Sequence, residues 1–167
     1  MIIGEYFRHA GDTVLEEAPF HYRRCGLDNI YLVNGFDADI DDEGDKYVSV
    51  LDVDGLHKAI GLHLVTNRKI LAPKEIRFLR KALNLSQAEL GRLINQSGQQ
   101  IARWEKGENN ISGPADRLLR LIFVGTLVKD GIIEPPLEFL DHIDSLDDAP
   151  EDEIRLCRTG EDWLEAA

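Results

Sequence analysis

Four side chains between Leu85 and Glu108 have the chemistry to read a nucleic acid: the amides of Gln87, Gln99 and Gln100 and the guanidinium of Arg103. A glutamine amide sets a donor beside an acceptor and can pair bidentately with adenine, while a guanidinium suits guanine or a phosphate oxygen. Such groups read sequence only when a helix carries them into the major groove, where each base pair presents a different pattern of donors, acceptors and methyl. The stretch LSQAELGRLINQSGQQIARWEKGE encodes two short amphipathic helices at helix-turn-helix spacing. Ser86, with Glu89 three residues later, forms a capping box for the first, whose core side is Leu90, Leu93 and Ile94. Ser97 starts the second, Ile101 with Trp104 or Glu105 keeps one face inward, and Gly107 ends it. Gln99 lies near the start of this second helix, where side chains reach deepest, with Gln100 beside it and Arg103 one turn further on. Gln87 sits at the positively polarised end of the first helix and is expected to bind a backbone phosphate, as are Ser86 and Lys106.

A net charge of −12 argues against a polyanionic partner until its distribution is read. From Arg68 to Arg120 there are eleven basic and five acidic residues, a net of +6, while the remainder carries eight basic and 26 acidic residues, or −18. A basic middle thus lies between acidic flanks.

The elements that must position the reading residues follow from periodicity. Pro73 opens a helix with Ile76, Leu79 and Leu83 on its buried stripe, and a later helix from Pro114 through Leu127 carries Leu118, Leu119, Leu121, Ile122 and Leu127. That is more apolar surface than a small four-helix core requires, so contact with a second copy or with the upstream region is expected. Upstream, FHYRR, NIYLVNG and YVSVLDV read as strands of a small antiparallel sheet, with GFDADIDDEGDK as a turn region. Asp54 would cap a helix whose Leu56, Ile60 and Leu64 lie across that sheet. The fold class is therefore α+β, with a small α+β domain over 1–66, a helical DNA-binding domain over 70–128 and an acidic C-terminal extension over 129–167. In the extension, Pro135, Pro136 and Pro150 flank a short amphipathic helix of Leu137, Phe139, Leu140, Ile143 and Leu146, and Trp163 with Leu164 could dock on a partner.

The segment ALNLSQAELGRLINQSGQQIARWEKGENNISGP resembles the Xre or phage-repressor type of helix-turn-helix domain, lambda-repressor-like in fold, over roughly residues 70 to 127. The resemblance implies that Gln87 is the phosphate-binding glutamine, that Gln99, Gln100 and Arg103 read bases, and that Leu90, Ile101, Trp104 and the structural Glu105 form the core of the motif. Gly98 departs from the polar residue usual at one reading position. The whole layout is similar to the MqsA group of antitoxins, although YRRCGLDNIYLVNG lacks the paired CxxC motifs that bind zinc there. The resemblance implies an autoregulatory repressor that binds a palindromic operator in double-stranded DNA as a homodimer, with a small cognate toxin as a further partner. The alternatives are a stand-alone regulator whose first region senses a ligand or dimerises, and a protein-binding scaffold that does not bind DNA.

Other chemistries find little support. His57 and His63 are six apart and do not share a helix face, Cys25 and Cys157 stand far from one another, and the aspartates of FDADIDDEGDK lack the order of a calcium loop. No nucleotide-binding glycine loop occurs. The expectation is a non-enzymatic protein without metal or cofactor, and, with no apolar run of membrane-spanning length or signal-peptide pattern, a cytoplasmic one that does not engage a membrane.

Overall fold

The computed structural model describes residues 18–131, 138–149 and 151–167. These divide into two compact units, one built from the residues up to Leu56 together with Glu151–Ala167, the other from His57 onward to Ala149 together with Cys25–Leu27. The N-terminal 1–17 stretch, Leu137 and the three prolines Pro135, Pro136 and Pro150 lie outside the described residues.

The first unit holds β1 (Phe20–His21), β2 (Ile30–Leu32), β3 (Phe36–Ile40), β4 (Lys46–Val50), β5 (Ile154–Thr159) and β6 (Asp162–Glu165). β1, β2, β5 and β6 form one sheet in that order, and β3 pairs only with β4. β2 runs parallel to β5, with Ile30 opposite Ile154 and Leu32 opposite Leu156, and all four side chains are buried. The small N-terminal antiparallel sheet expected from the sequence is thus a mixed sheet whose strands come from both ends of the chain. The acidic extension supplies two of those strands because its charges alternate with apolar residues: Arg155 and Glu165 face solvent while Ile154, Leu156 and Trp163 are buried.

Trp163 is therefore a core residue and not a docking side chain, while its neighbour Leu164 is exposed. Its Nε1 donates to the carbonyls of Leu51 and Asp52 at 3.2 and 3.1 Å. The ring lies over Gly35, which has φ 76° and where a Cβ would come 2.4 Å from it, so both conformation and space demand glycine. The segment expected as a turn is mostly strand: Phe36–Ile40 pairs in register with Lys46–Val50 and only residues 41–45 turn. Asp41 organises that turn by accepting the backbone N–H groups of Glu43 and Asp45 at 3.0 and 2.8 Å.

α1 (Val53–Asn67) starts one cap earlier than expected. Asp52, at φ 47°, accepts the N–H of Gly55 at 3.0 Å, so Asp52 rather than Asp54 closes the first turn. Leu56, Ile60 and Leu64 are fully buried, as their spacing implies. From His57 onward, however, α1 belongs to the helical unit, which also holds α2 (Pro73–Ala82), α3 (Gln87–Leu93), α4 (Gly98–Lys106), α5 (Gly113–Lys129) and the short α6 (Phe139–Ile143). Gly61 marks the close approach of α1 to α5, where a Cβ would fall 2.1 Å from the Phe123 ring. On α5, Leu119, Phe123, Val124 and Leu127 are buried, Leu121 and Ile122 are half-buried and Leu118 is exposed, so much of the apparent apolar surplus is used inside the unit. Phe139 and Ile143 of α6 are also buried.

Candidate nucleic-acid interface

α4 packs on both α2 and α3, and the three together position the residues expected to read bases. Ser86 caps α3 as its sequence demands: its Oγ accepts the Glu89 N–H at 3.1 Å while Glu89 accepts the Ser86 N–H at 2.7 Å. Ser97 caps α4, accepting the Gln100 N–H at 3.0 Å, and Gly107 closes it in the left-handed region at φ 74°. Leu90, Ile94, Ile101 and Trp104 are buried, but Leu93 is 57% exposed and is not part of the core. The reason is the crossing of the two helices: Gly91 faces the turn so closely that a Cβ would lie 2.5 Å from the Gln96 carbonyl, and that face leaves Leu93 outside.

Gly98 occupies the same tight junction. A Cβ on it would sit 3.2 Å from the backbone of Ala88, so the glycine faces α3 and is not an outward reading position that has lost its side chain.

Gln99 and Arg103 are exposed, one turn apart on α4, and Lys106 is exposed in its last turn. Gln100 is half-buried and its Nε2 donates to Asn109 Oδ1 at 3.2 Å, which ties it to the loop after α4. Gln87 is tied more firmly, donating through Nε2 to Glu105 Oε2 at 2.9 Å. An amide nitrogen carries two protons, so these bonds leave one N–H of Gln87 and the hydroxyl hydrogen of Ser86 uncommitted. Glu105 also receives Arg80, Nε to Oε1 at 2.5 Å and Nη2 to Oε2 at 3.1 Å, while Arg80 Nη1 donates to the Leu85 carbonyl at 2.8 Å. One carboxylate thus joins α2, α3 and α4.

The reading of the basic middle changes in composition but not in sign. Arg68, Arg80 and Arg120 are paired internally with Glu75, Glu105 and Asp116, which removes equal numbers of each charge. Lys74, Arg77, Lys81, Arg92, Arg103 and Lys106 remain exposed. Sequence reasoning missed these internal arginines, although the presence of Glu75, Glu105 and Asp116 amid basic residues was the available signal. It also missed Asn109, which has no periodic signature.

The backbone N–H and hydroxyl of Ser86, with Arg92 one turn on, hold the Glu89 carboxyl below the usual carboxylate range. A depressed carboxylate contributes stability above its unfolded pKa and loses it as pH falls through the folded value. Ser86→Ala keeps the backbone N–H and removes the hydroxyl, so it is expected to move the Glu89 titration, followed by NMR, only part of the way back up toward the ordinary value, and to cost about 1 kcal/mol in urea unfolding. An unmoved Glu89 titration would contradict the capping assignment.

Among the described residues no cluster of three or more His, Cys, Asp or Glu side chains could hold a metal ion, and no helix is long and apolar enough to cross a membrane. Residues 76–115 match the family model described as Helix-turn-helix. No curated protein and no solved structure matches the chain. The matched segment takes in most of α2, all of α3 and α4, and the start of α5. The chain thus carries a helix-turn-helix DNA-binding domain, consistent with a transcriptional regulator.

Proposed function

We propose that the protein is a transcriptional repressor that lays α4 in the major groove and binds a palindromic operator as a homodimer. The observation that carries this reading is the two-sidedness of α4: Ile101 and Trp104 are 0% and 3% exposed, while Gln99 and Arg103 face solvent on a helix with exposed lysines and arginines beside it. Gln99, Gln100 and Arg103 read bases in this proposal, and Ser86, Gln87 and Lys106 hold phosphates. Leu118, exposed on α5, is the natural centre of a self-contact.

Selection from a random duplex pool is expected to enrich a palindrome whose half-sites lie about 34 Å apart. Gln99→Ala should lower discrimination between that site and its mutated form by about 1–3 kcal/mol, while Gln87→Ala weakens binding to both alike. Binding should fall steeply with salt despite the acidic total. Enrichment of no sequence would remove the repressor reading and leave the scaffold.

In the antitoxin form of this reading, the β unit also neutralises a small basic toxin. What favours it is the β3–β4 hairpin, where Asp37, Asp39, Asp41, Asp42, Glu43 and Asp45 are all exposed beside exposed Ile40 and Tyr47. An acidic module with apolar anchors can cover the basic surface that an RNase needs to hold RNA, and charge of opposite sign raises the rate of encounter. Since β5 and β6 come from the far end of the chain, deleting residues 1–66 would dismantle the sheet. Co-expression with a short basic neighbouring gene product is better tested with the double substitution Asp39→Lys and Asp42→Lys. Loss of protection from growth arrest is expected, and unaltered protection would sink the hairpin as the neutralising surface.

A further inference from the structure

A cavity of about 550 Å³, half open to solvent, lies on the helical unit beside α4. This is the size of pockets that take small organic ligands. Leu71, Ile76, Trp104, Ile111 and Ile143 are apolar members of its lining, and Lys69, Asn109 and Arg117 are polar ones. Its two carboxylates are already paired, Asp116 with Arg120 at 2.8 Å and Asp144 with Arg117 at 2.6 Å. Lys69 has no ion-pair partner among the described residues, and since Arg120, outside the lining, neutralises Asp116, one positive charge at the cavity is left unpaired. Among the described residues Arg117 is only partly satisfied: its Nη2 holds Asp144, whose side chain is 79% exposed, while its Nη1 is shielded from solvent and meets no hydrogen-bond partner there.

We propose that this cavity binds a small amphipathic carboxylate and that its occupancy alters base reading. The apolar body of the ligand lies on the Ile76, Trp104 and Ile111 side chains, and its carboxylate takes the place of Asp144 on Arg117, with Lys69 as the second cation. Asp144 loses little by leaving, since it is nearly free in water. The coupling runs through Asn109, which lines the cavity and whose Oδ1 holds the Gln100 amide, so a ligand that moves Asn109 reorients Gln100. Binding stands on the cavity alone; the coupling rests on the assignment of Gln100 as a base reader.

Calorimetry on the full chain without DNA separates the two, with octanoate and 3-phenylpropionate as probes and the corresponding alcohols as uncharged counterparts. Saturable binding of at least one acid is expected, with Kd between about 10 μM and 1 mM for a ligand of this size. Lys69→Gln and Arg117→Gln should each weaken the acid about tenfold, the loss of one charge-assisted contact, and leave the alcohol unchanged. Ile111→Trp should push a larger ring into the apolar lining and weaken acid and alcohol alike, with circular dichroism confirming that each variant is folded. Absence of saturable binding by either acid, or equal affinity for acid and alcohol, overturns the site.

In gel shifts, the acid that binds should change the base preference at the Gln100 position about fivefold or more, and Asn109→Ala should erase that response while calorimetric binding persists. Binding with an unchanged base preference overturns the coupling. Saturable binding by a chain that selects no DNA sequence would count against the repressor reading and leave the cavity assignment standing.

Discussion

Replacing Arg120 with alanine is expected to destabilise the helical unit by about 3–5 kcal/mol, the cost of breaking a buried ion pair from one side. Arg120 is 0% exposed, and its guanidinium makes five hydrogen bonds: two to Asp116 at 2.8 and 3.2 Å, and one each to the carbonyls of Val65, Arg68 and Lys69 at 2.9, 2.7 and 3.1 Å. The three carbonyls lie at and just beyond the C-terminal turn of α1, where intrahelical donors run out. Alanine leaves those acceptors without their donor and strands the Asp116 carboxylate. Asp116→Asn is the informative companion, because the guanidinium then keeps its three carbonyls and a neutral partner, and the loss should be smaller. Urea unfolding followed by circular dichroism measures both. A change below about 1 kcal/mol for Arg120→Ala would show that water satisfies the end of α1, and would sink the assignment.

That arginine also marks where the sequence stops being legible. Local signals held at most places where one side chain acts on its own turn: the Ser86 and Glu89 capping box, the Ser97 cap, the Gly107 stop and Pro73 in the first turn of α2 all stand where their spacing placed them, and the exception is Asp54, which yields the first turn of α1 to Asp52. Helical periodicity likewise found Leu90, Ile101 and Trp104. What could not be read was determined by partners distant in sequence. The parallel pairing of β2 with β5 joins residues more than a hundred positions apart, and no local pattern in an acidic tail announces it. The exposure of Leu93 and the inward role of Gly98 follow from the close crossing of α3 and α4, which hydrophobicity does not encode. Arg68, Arg80 and Arg120 carry the same charge as Arg77 or Arg103, and only the fold separates arginines that hold helices from arginines that face outward.

Glu105→Ala is expected to cost about 3 kcal/mol in stability and to lower operator affinity beyond what that loss alone produces. The Glu105 side chain is 4% exposed and that of Arg80 11%, so removing the carboxylate leaves a guanidinium largely buried with only the Leu85 carbonyl to bind. The same carboxylate holds Gln87, so two consequences separate. Glu105→Gln keeps the shape but puts a donor against Arg80, and a loss of about 1–2 kcal/mol is expected. Replacing both ends, Arg80→Met with Glu105→Leu, removes the buried charges together and should recover most of the stability, as apolar pairs of similar volume do. It should not recover DNA binding, because Gln87 still lacks the partner that orients its amide at the start of α3 and α4 has lost its polar tie to that helix. The measurement is a double-mutant cycle in urea unfolding run alongside operator titrations. Recovery of both stability and affinity in the double variant would reduce the network to a packing device, whereas recovery of stability alone would place Glu105 among the residues that position the DNA-reading surface.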